Sequence, residues 1–74
     1  MARTVLPELG TLNLLRLREV CRRTGLSRSA IYRGIAAGVF PAPVKLSERA
    51  TAWSSGEVET WISARIAQRD GRAA

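Results

Sequence analysis

Histidine is missing from this sequence of 74 residues, and cysteine occurs once, at Cys21. A single cysteine excludes an intramolecular disulfide, and without histidine a structural zinc site loses one of its two usual ligands. Aromatic residues make up only 5% of the chain, so no platform is evident for stacking the bases of a single-stranded nucleic acid. We therefore expect no metal or other cofactor, and we expect Cys21 to be a reduced, small core residue.

Long apolar runs are also missing. No stretch approaches the roughly 18 apolar residues that a membrane span requires, and the N-terminal residues lack the pattern of a signal peptide. These absences predict a cytoplasmic protein that does not interact with a membrane. Hydrophobic residues make up 46% of the chain, which suffices for one small core but not for a scaffold with a deep catalytic cleft. Without histidine or paired acids in such a cleft, we do not expect an enzyme.

The charge is strongly unbalanced. Twelve lysines and arginines stand against six acids, which gives a net charge of +6, and every cation except Lys45 is an arginine. Such a charge on a small domain favours an anionic partner, most simply nucleic acid. The planar fork of arginine also suits phosphate and the edge of guanine. A GC-rich genome would produce the same excess of arginine, so composition supports nucleic-acid binding without establishing it.

Residues 20–37, VCRRTGLSRSAIYRGIAA, have the pattern of a helix-turn-helix. Helical spacing predicts a first helix over about residues 18–24 and a second, the recognition helix, over residues 28–37. Gly25 stands between them, where the end of a helix favours a residue that adopts positive φ. Ser27 is placed to cap the second helix with its hydroxyl oxygen.

The second helix has an apolar side and a polar side. Ile31 and Ile35 lie one turn apart and are expected to face the core. At about 100° per residue, Ser29, Tyr32 and Arg33 then point outward. An outward side that is small, hydroxylated and basic suits a helix that lies against DNA.

A β-hairpin is predicted after the second helix. Two prolines, Pro41 and Pro43, exclude a continued helix and fit the edge of a hairpin. We predict strands over about residues 44–46 and 51–53, joined by a polar turn. A hairpin at residues 44–53, directly after a recognition helix, has the position of a wing.

The last element is a third helix. Ser54 and Glu57 match a capping box, with serine at the N-cap and glutamate three residues later. An apolar stripe follows, in which Arg65 can stack on the indole of Trp61. The helix is expected to fray after Gln68.

The predicted elements divide the chain into a flexible arm at residues 1–11, a DNA-binding domain at residues 12–69 and a tail at residues 70–74. The fold class expected is mostly α with a small β-hairpin wing. We predict one core, composed of Leu15, Leu17, Val20, Cys21, Leu26, Ile31, Ile35, Phe40, Trp53, Val58, Trp61, Ile62 and Ile66.

Three segments resemble the AlpA family of phage-type regulators, over roughly residues 14–69. They are LLRLREV, TGLSRSAIYRGIAAGVFPAPVKL, and RATAW followed by EVETWISARI. The family is related to phage excisionases and, more distantly, to the DNA-binding domain of MerR regulators. The resemblance implies a winged helix-turn-helix that binds DNA and acts in transcription or in prophage excision. From the sequence we expect no sensor portion of the MerR type after the third helix.

The recognition helix contributes most of the candidate DNA-binding residues. Arg28 and Ser29, at its start, are candidates for contacts with base edges. Arg33 would reach a phosphate or a guanine, unless it is only a solvated charge. Tyr32 either donates its hydroxyl to a phosphate or packs against the wing. Ser27 mainly caps the helix.

Basic residues outside this helix are less specific candidates. In the wing, Lys45 and Arg49 flank the turn and suit phosphates or the adjacent minor groove, although a solvated hairpin tip is an alternative. The basic run of the first helix, which includes Arg22 and Arg23, is assigned no base contact.

Four functions compete. The leading one is a sequence-specific regulator of transcription that binds double-stranded DNA, as a homodimer or a cooperative array. The runner-up is an excisionase that bends DNA beside an integrase. An RNA-binding protein is disfavoured because no RNA motif or stacking aromatic residues are found. A protein adaptor would need apolar anchors on the outward side of the second helix, where Ser29 and Arg33 stand.

Overall fold

The structure is a computed structural model that describes residues 13–73, so the arm predicted at residues 1–11 lies outside the described residues. Within this part of the chain, three helices accompany a three-stranded antiparallel sheet, which is the expected winged helix-turn-helix. The elements are β1 (Leu14–Leu15), α1 (Leu17–Thr24), α2 (Arg28–Ala36), β2 (Val44–Ser47), β3 (Ala50–Ser54) and α3 (Ser55–Ala73).

The turn between α1 and α2 has the predicted caps. Gly25 adopts φ 77° and donates its backbone N–H to the carbonyl oxygen of Cys21 at 2.8 Å. The Ser27 hydroxyl oxygen accepts from the backbone N–H of Ala30 at 3.1 Å. The recognition helix ends at Ala36, slightly before its predicted end, because Gly38 adopts φ 78° and closes the helix. These caps end α1 at Thr24 and begin α2 at Arg28, as predicted.

The sheet has the strand order β1-β3-β2, so the start of the domain pairs with the second strand of the hairpin. The predicted hairpin is present, with a two-residue turn between β2 and β3 and an irregularity in register between Lys45 and Ser47. The pairing of β1 with β3, where Leu15 lies opposite Trp53, was not predicted. Two residues are too short to show an alternating pattern, and their partner lies far along the chain.

A buried serine secures this unexpected strand. Ser55 is only 3% exposed, and its hydroxyl oxygen accepts from the backbone N–H of Asn13 at 2.8 Å. The Ser55 N–H donates in return to the carbonyl oxygen of Asn13 at 2.8 Å. The start of α3 is thereby tied to the start of the domain. Because both polar groups are paired, the burial of Ser55 is not costly.

The core agrees with the predicted set except at Ile66, which is 47% exposed. The prediction for Ile66 was wrong because α3 has 19 residues and α1 only eight, so the second half of α3 extends past the helix it packs on. Ala52 is fully buried on β3 and was not predicted. The buried hydrophobic residues are Leu15, Val20, Ile31, Phe40, Ala52, Trp53 and Val58.

The third helix begins as predicted and ends later. The Ser54 hydroxyl oxygen accepts from the backbone N–H of Glu57 at 3.3 Å, so Ser54 is the N-cap. The expectation of fraying after Gln68 was wrong, since the helix continues to Ala73 through part of the segment expected as a tail. No proline interrupts this stretch, and alanine, glutamine and arginine favour helix. No helix among residues 13–73 combines the length and apolarity needed to cross a membrane.

The close packing of Gly34 against Phe40 provides a test of the fold. A Cβ atom at Gly34 would lie 2.9 Å from the Cβ atom of Phe40, and the Gly34 carbonyl oxygen accepts from the N–H groups of Val39 and Phe40 at 2.9 and 3.2 Å. We expect Gly34→Ala to lower the free energy of unfolding on the order of 1 kcal/mol, because the steric conflict exceeds the gain in helix propensity.

Denaturant unfolding measures this loss, and Gly71→Ala is the matched control. A Cβ atom at Gly71 would meet nothing within 4 Å among the atoms that the structure describes, so alanine at this helical position should not destabilise the protein. A Gly34→Ala variant as stable as the wild type would contradict the packing described here.

Candidate nucleic-acid interface

The outward side of α2 is arranged as the helical spacing predicts. Ile31 is fully buried and Ile35 is half-buried, whereas Arg28, Ser29 and Arg33 are exposed. One side of the helix therefore anchors it to the core. The opposite side presents two guanidinium groups and a hydroxyl to solvent.

Tyr32 connects this side of α2 to the sheet. Its ring contacts the indole of Trp53 edge-to-face, with centroids 6.2 Å apart and an interplanar angle of 71°. The guanidinium carbon of Arg28 lies 6.0 Å from the centroid of the same ring, at the limit of a cation–π contact. Of the two roles considered for Tyr32, packing against the wing is thus present. The residue nevertheless remains 41% exposed.

The wing carries its two candidate cations at and beside the turn. Arg49 is exposed in the turn, and the Lys45 ammonium donates to the carbonyl oxygen of Glu48 at 3.4 Å. Strand β2 is exposed along its whole length, with Val44 and Leu46 41% and 46% exposed. The wing therefore presents a mixed surface, basic at its tip and apolar along β2.

Ion pairs divide the basic residues into two groups. The candidate cations of α2 and the wing have no carboxylate of a described residue within 4.0 Å; they are Arg28, Arg33, Lys45 and Arg49. The same holds for Arg16, Arg18 and Arg65. In contrast, Arg22 and Arg23 both pair with Glu19, at 2.6 and 2.8 Å. The positive charge of α1 is thus partly neutralised, whereas no acid among residues 13–73 neutralises that of α2 and the wing.

Glu19 is the acid that neutralises α1. The hydrogen bonds from the guanidinium groups of Arg22 and then of Arg23 lower the pKa of its carboxyl from 4.5 to about 2. Since the pKa of Glu19 is lower in the folded than in the unfolded protein, the interaction stabilises the fold above about pH 4.5 and is lost as the pH falls toward 2. The interaction is solvent-exposed, so its contribution is small.

We expect an NMR titration of the Glu19 carboxyl to give a pKa near 2 in the wild type. In Arg22→Ala the pKa should rise toward 4.5, because the largest stabilising hydrogen bond to the carboxylate is removed. Arg18→Ala removes the same charge from α1 without a hydrogen bond to Glu19 and should leave the titration unchanged. An unchanged pKa in Arg22→Ala would show that the ion pair does not form in solution.

Sequence reasoning missed the part that Trp53 has in this region. Trp53 was predicted as a core residue, which it is, but its contact with Tyr32 was not predicted. The only available signal was the position of the hairpin directly after the recognition helix, which brings β3 near α2. No group of three or more potential metal-ligating side chains is found in the part of the chain that the structure describes.

Two comparisons with known proteins bear on this arrangement. The sequence model of the family described as "Prophage CP4-57 regulatory protein (AlpA)" matches residues 13–66. An uncharacterized protein, ORF88 of Enterobacteria phage P4, is 44% identical over 64 residues, which cover 86% of this chain and 73% of the phage protein. Both matches include α1, α2 and the wing.

Proposed function

The chain belongs to the AlpA family of prophage regulatory proteins, and we propose that it regulates transcription by sequence-specific binding of double-stranded DNA. The observation that carries this proposal is the set of cations on α2 and the wing that make no ion pair with any described residue. They stand on two adjacent elements that Tyr32 and Trp53 join. A location in the cytoplasm, as expected from the sequence, gives access to such DNA.

The recognition helix supplies the sequence-specific part of this proposal. Helix α2 would enter the major groove with its N-terminal end toward the base edges, so Arg28 and Ser29 contact bases. Arg33, one turn later on an exposed side, contacts a guanine or a phosphate. Tyr32 keeps its ring on Trp53 and directs its hydroxyl to a phosphate, while Ser27 serves as the helix cap.

The wing supplies the contacts that do not depend on sequence. Lys45 and Arg49 lie at the exposed end of the hairpin and would bind phosphates or enter the adjacent minor groove. Each phosphate that the protein neutralises releases counterions, so binding should weaken as the salt concentration rises.

Substitution of the α2 arginines tests the recognition helix. Arg28→Ala and Arg33→Ala should each weaken binding to a selected DNA site by about 1–3 kcal/mol if the side chain contacts a base, and by less if it contacts phosphate. Their melting temperatures should stay close to that of the wild type, because both side chains are exposed. Fluorescence anisotropy with labelled duplex measures the affinities.

Arg22→Ala is the matched control, because it removes the same charge from α1, where Glu19 already neutralises part of it. Its effect on DNA affinity should be clearly smaller. Binding of both α2 variants with wild-type affinity would exclude α2 as the recognition helix.

A paired substitution tests the wing. Lys45→Ala combined with Arg49→Ala should lower the affinity for the selected site and for random DNA by similar factors, since phosphate contacts carry little sequence information. The slope of log K against log salt should become shallower by roughly one to two units, one for each lost contact. Arg18→Ala combined with Arg22→Ala removes the same charge from α1 and should leave the slope nearly unchanged. A folded wing variant with unchanged affinity and slope would restrict the wing to a structural role.

Selection of bound DNA from a random library separates regulation at a single operator from a role in excision. A single site, or two half-sites for a homodimer, supports an operator-binding regulator. Several phased copies of one motif would instead support an excisionase that assembles an array and bends the DNA.

A further inference from the structure

A groove lies between the end of α1 and the middle of α3, on residues that the proposed DNA interface does not use. Its volume is about 490 Å³. The apolar part of its lining comes from Trp61, Ile62 and Ile66, of which Ile66 is 47% exposed. These residues follow one side of α3 at helical spacing. An exposed isoleucine beside a partly exposed tryptophan is a small apolar surface without a partner in the described chain.

Arginines surround this apolar surface. Arg23, Arg65 and Arg69 line the groove, and none of its lining residues in the described chain is an acid. The guanidinium carbon of Arg65 lies 5.0 Å from the centroid of the Trp61 ring and makes no ion pair with described residues. The groove thus combines an apolar lining with three guanidinium groups, of which only that of Arg65 has no carboxylate of a described residue within 4.0 Å.

The other two arginines are engaged only in solvent-exposed ion pairs. Arg23 pairs with Glu19 at 2.8 Å and lies 4.0 Å from Glu59, and Arg69 pairs with Asp70 at 2.8 Å. Exposed pairs of this kind contribute little to stability. Either guanidinium can therefore exchange its present partner for a carboxylate on a bound protein.

We propose that this groove is a docking site for an acidic amphipathic helix of another protein. The apolar stripe of such a helix would cover Ile62, Ile66 and the exposed part of Trp61. Its flanking carboxylates would pair with the three arginines, which gives the contact its specificity. The inference does not depend on DNA binding, because the groove and the proposed DNA interface share no residue.

Charge and apolar surface distinguish three possible occupants of the groove: a second copy of this chain, a nucleic acid and an acidic amphipathic helix. A second copy of this chain carries the same net charge of +6, which opposes its association with this surface. A nucleic acid would satisfy the arginines but would leave the aliphatic side chains of Ile62 and Ile66 without an apolar partner. An acidic amphipathic helix satisfies both parts of the surface.

A synthetic peptide tests the proposal on the full chain without DNA. The probe is a helix of roughly 18 residues with leucine at positions i, i+3, i+4 and i+7 and glutamate at most other positions. Its twin has lysine in place of every glutamate. We expect the glutamate peptide to shift the amide NMR signals of Arg23 and residues 61–69, and the lysine twin to bind at least about tenfold more weakly. Equal binding of the twins, or no shift at these residues with the glutamate peptide, would overturn the proposal.

Two groove variants and one control complete the experiment. Ile66→Asp and Arg65→Glu should each weaken binding of the glutamate peptide by about tenfold or more, with an unchanged circular dichroism spectrum. Leu14→Asp alters another exposed apolar residue, 52% exposed on β1, and should bind the peptide like the wild type.

Duplex DNA and the oligomeric state distinguish the other occupants. Ile66→Asp should bind duplex DNA like the wild type and should sediment as the wild type does. A loss of DNA affinity in this variant would assign the groove to nucleic acid. A wild-type dimer that Ile66→Asp dissociates would assign it to a second copy. Either result would overturn the proposal while leaving the proposed function of α2 open to its own test.

Discussion

The arrangement of the domain depends on one side chain, Trp53. It is fully buried, lies opposite Leu15 across the sheet, and donates its indole N–H to the carbonyl oxygen of Pro41 at 3.1 Å. Its ring also contacts Tyr32 on the recognition helix. One large aromatic group therefore joins β1, the loop before the wing, and α2. The single cysteine of this chain cannot form an intramolecular disulfide, so burial of a large aromatic side chain is an important source of stability for so small a domain.

Local features of the fold were predictable, and features that join distant residues were not. The cap at Ser27, the left-handed Gly25 and the hairpin after Pro43 are short-range signals, and each was predicted. Strand β1 escaped prediction because its partner is remote in sequence. Ile66 continued the apolar periodicity of α3, but periodicity does not tell where the neighbouring helix ends.

The candidate interface likewise combines features that were predictable from the sequence with features that were not. Helical spacing alone identified the outward side of α2, since exposure follows from the position of Ile31 in the core. Composition gives only the totals of basic and acidic residues, so it could not predict which arginines are paired with an acid. The bonds from Arg22 and Arg23 to Glu19 follow i,i+3 and i,i+4 spacing and were available to sequence reasoning. The contact of Tyr32 with Trp53 is a tertiary contact that only the structure reveals, whereas Arg28 and Tyr32 are neighbours at i,i+4 spacing within α2.

Packed side chains connect the proposed DNA interface on α2 with the groove on α3. Trp61, which borders the groove, donates its indole N–H to the carbonyl oxygen of Val39 at 2.9 Å and packs edge-to-face on Phe40 with centroids 5.0 Å apart. Phe40 in turn lies against Gly34 of the recognition helix. Protein interiors are close-packed, so α2 cannot rotate on the core without displacing Phe40 and Trp61. The absence of a side chain at Gly34 is therefore what allows the end of α2, the loop and α3 to meet, and this contact holds the recognition helix at a defined angle to the rest of the domain.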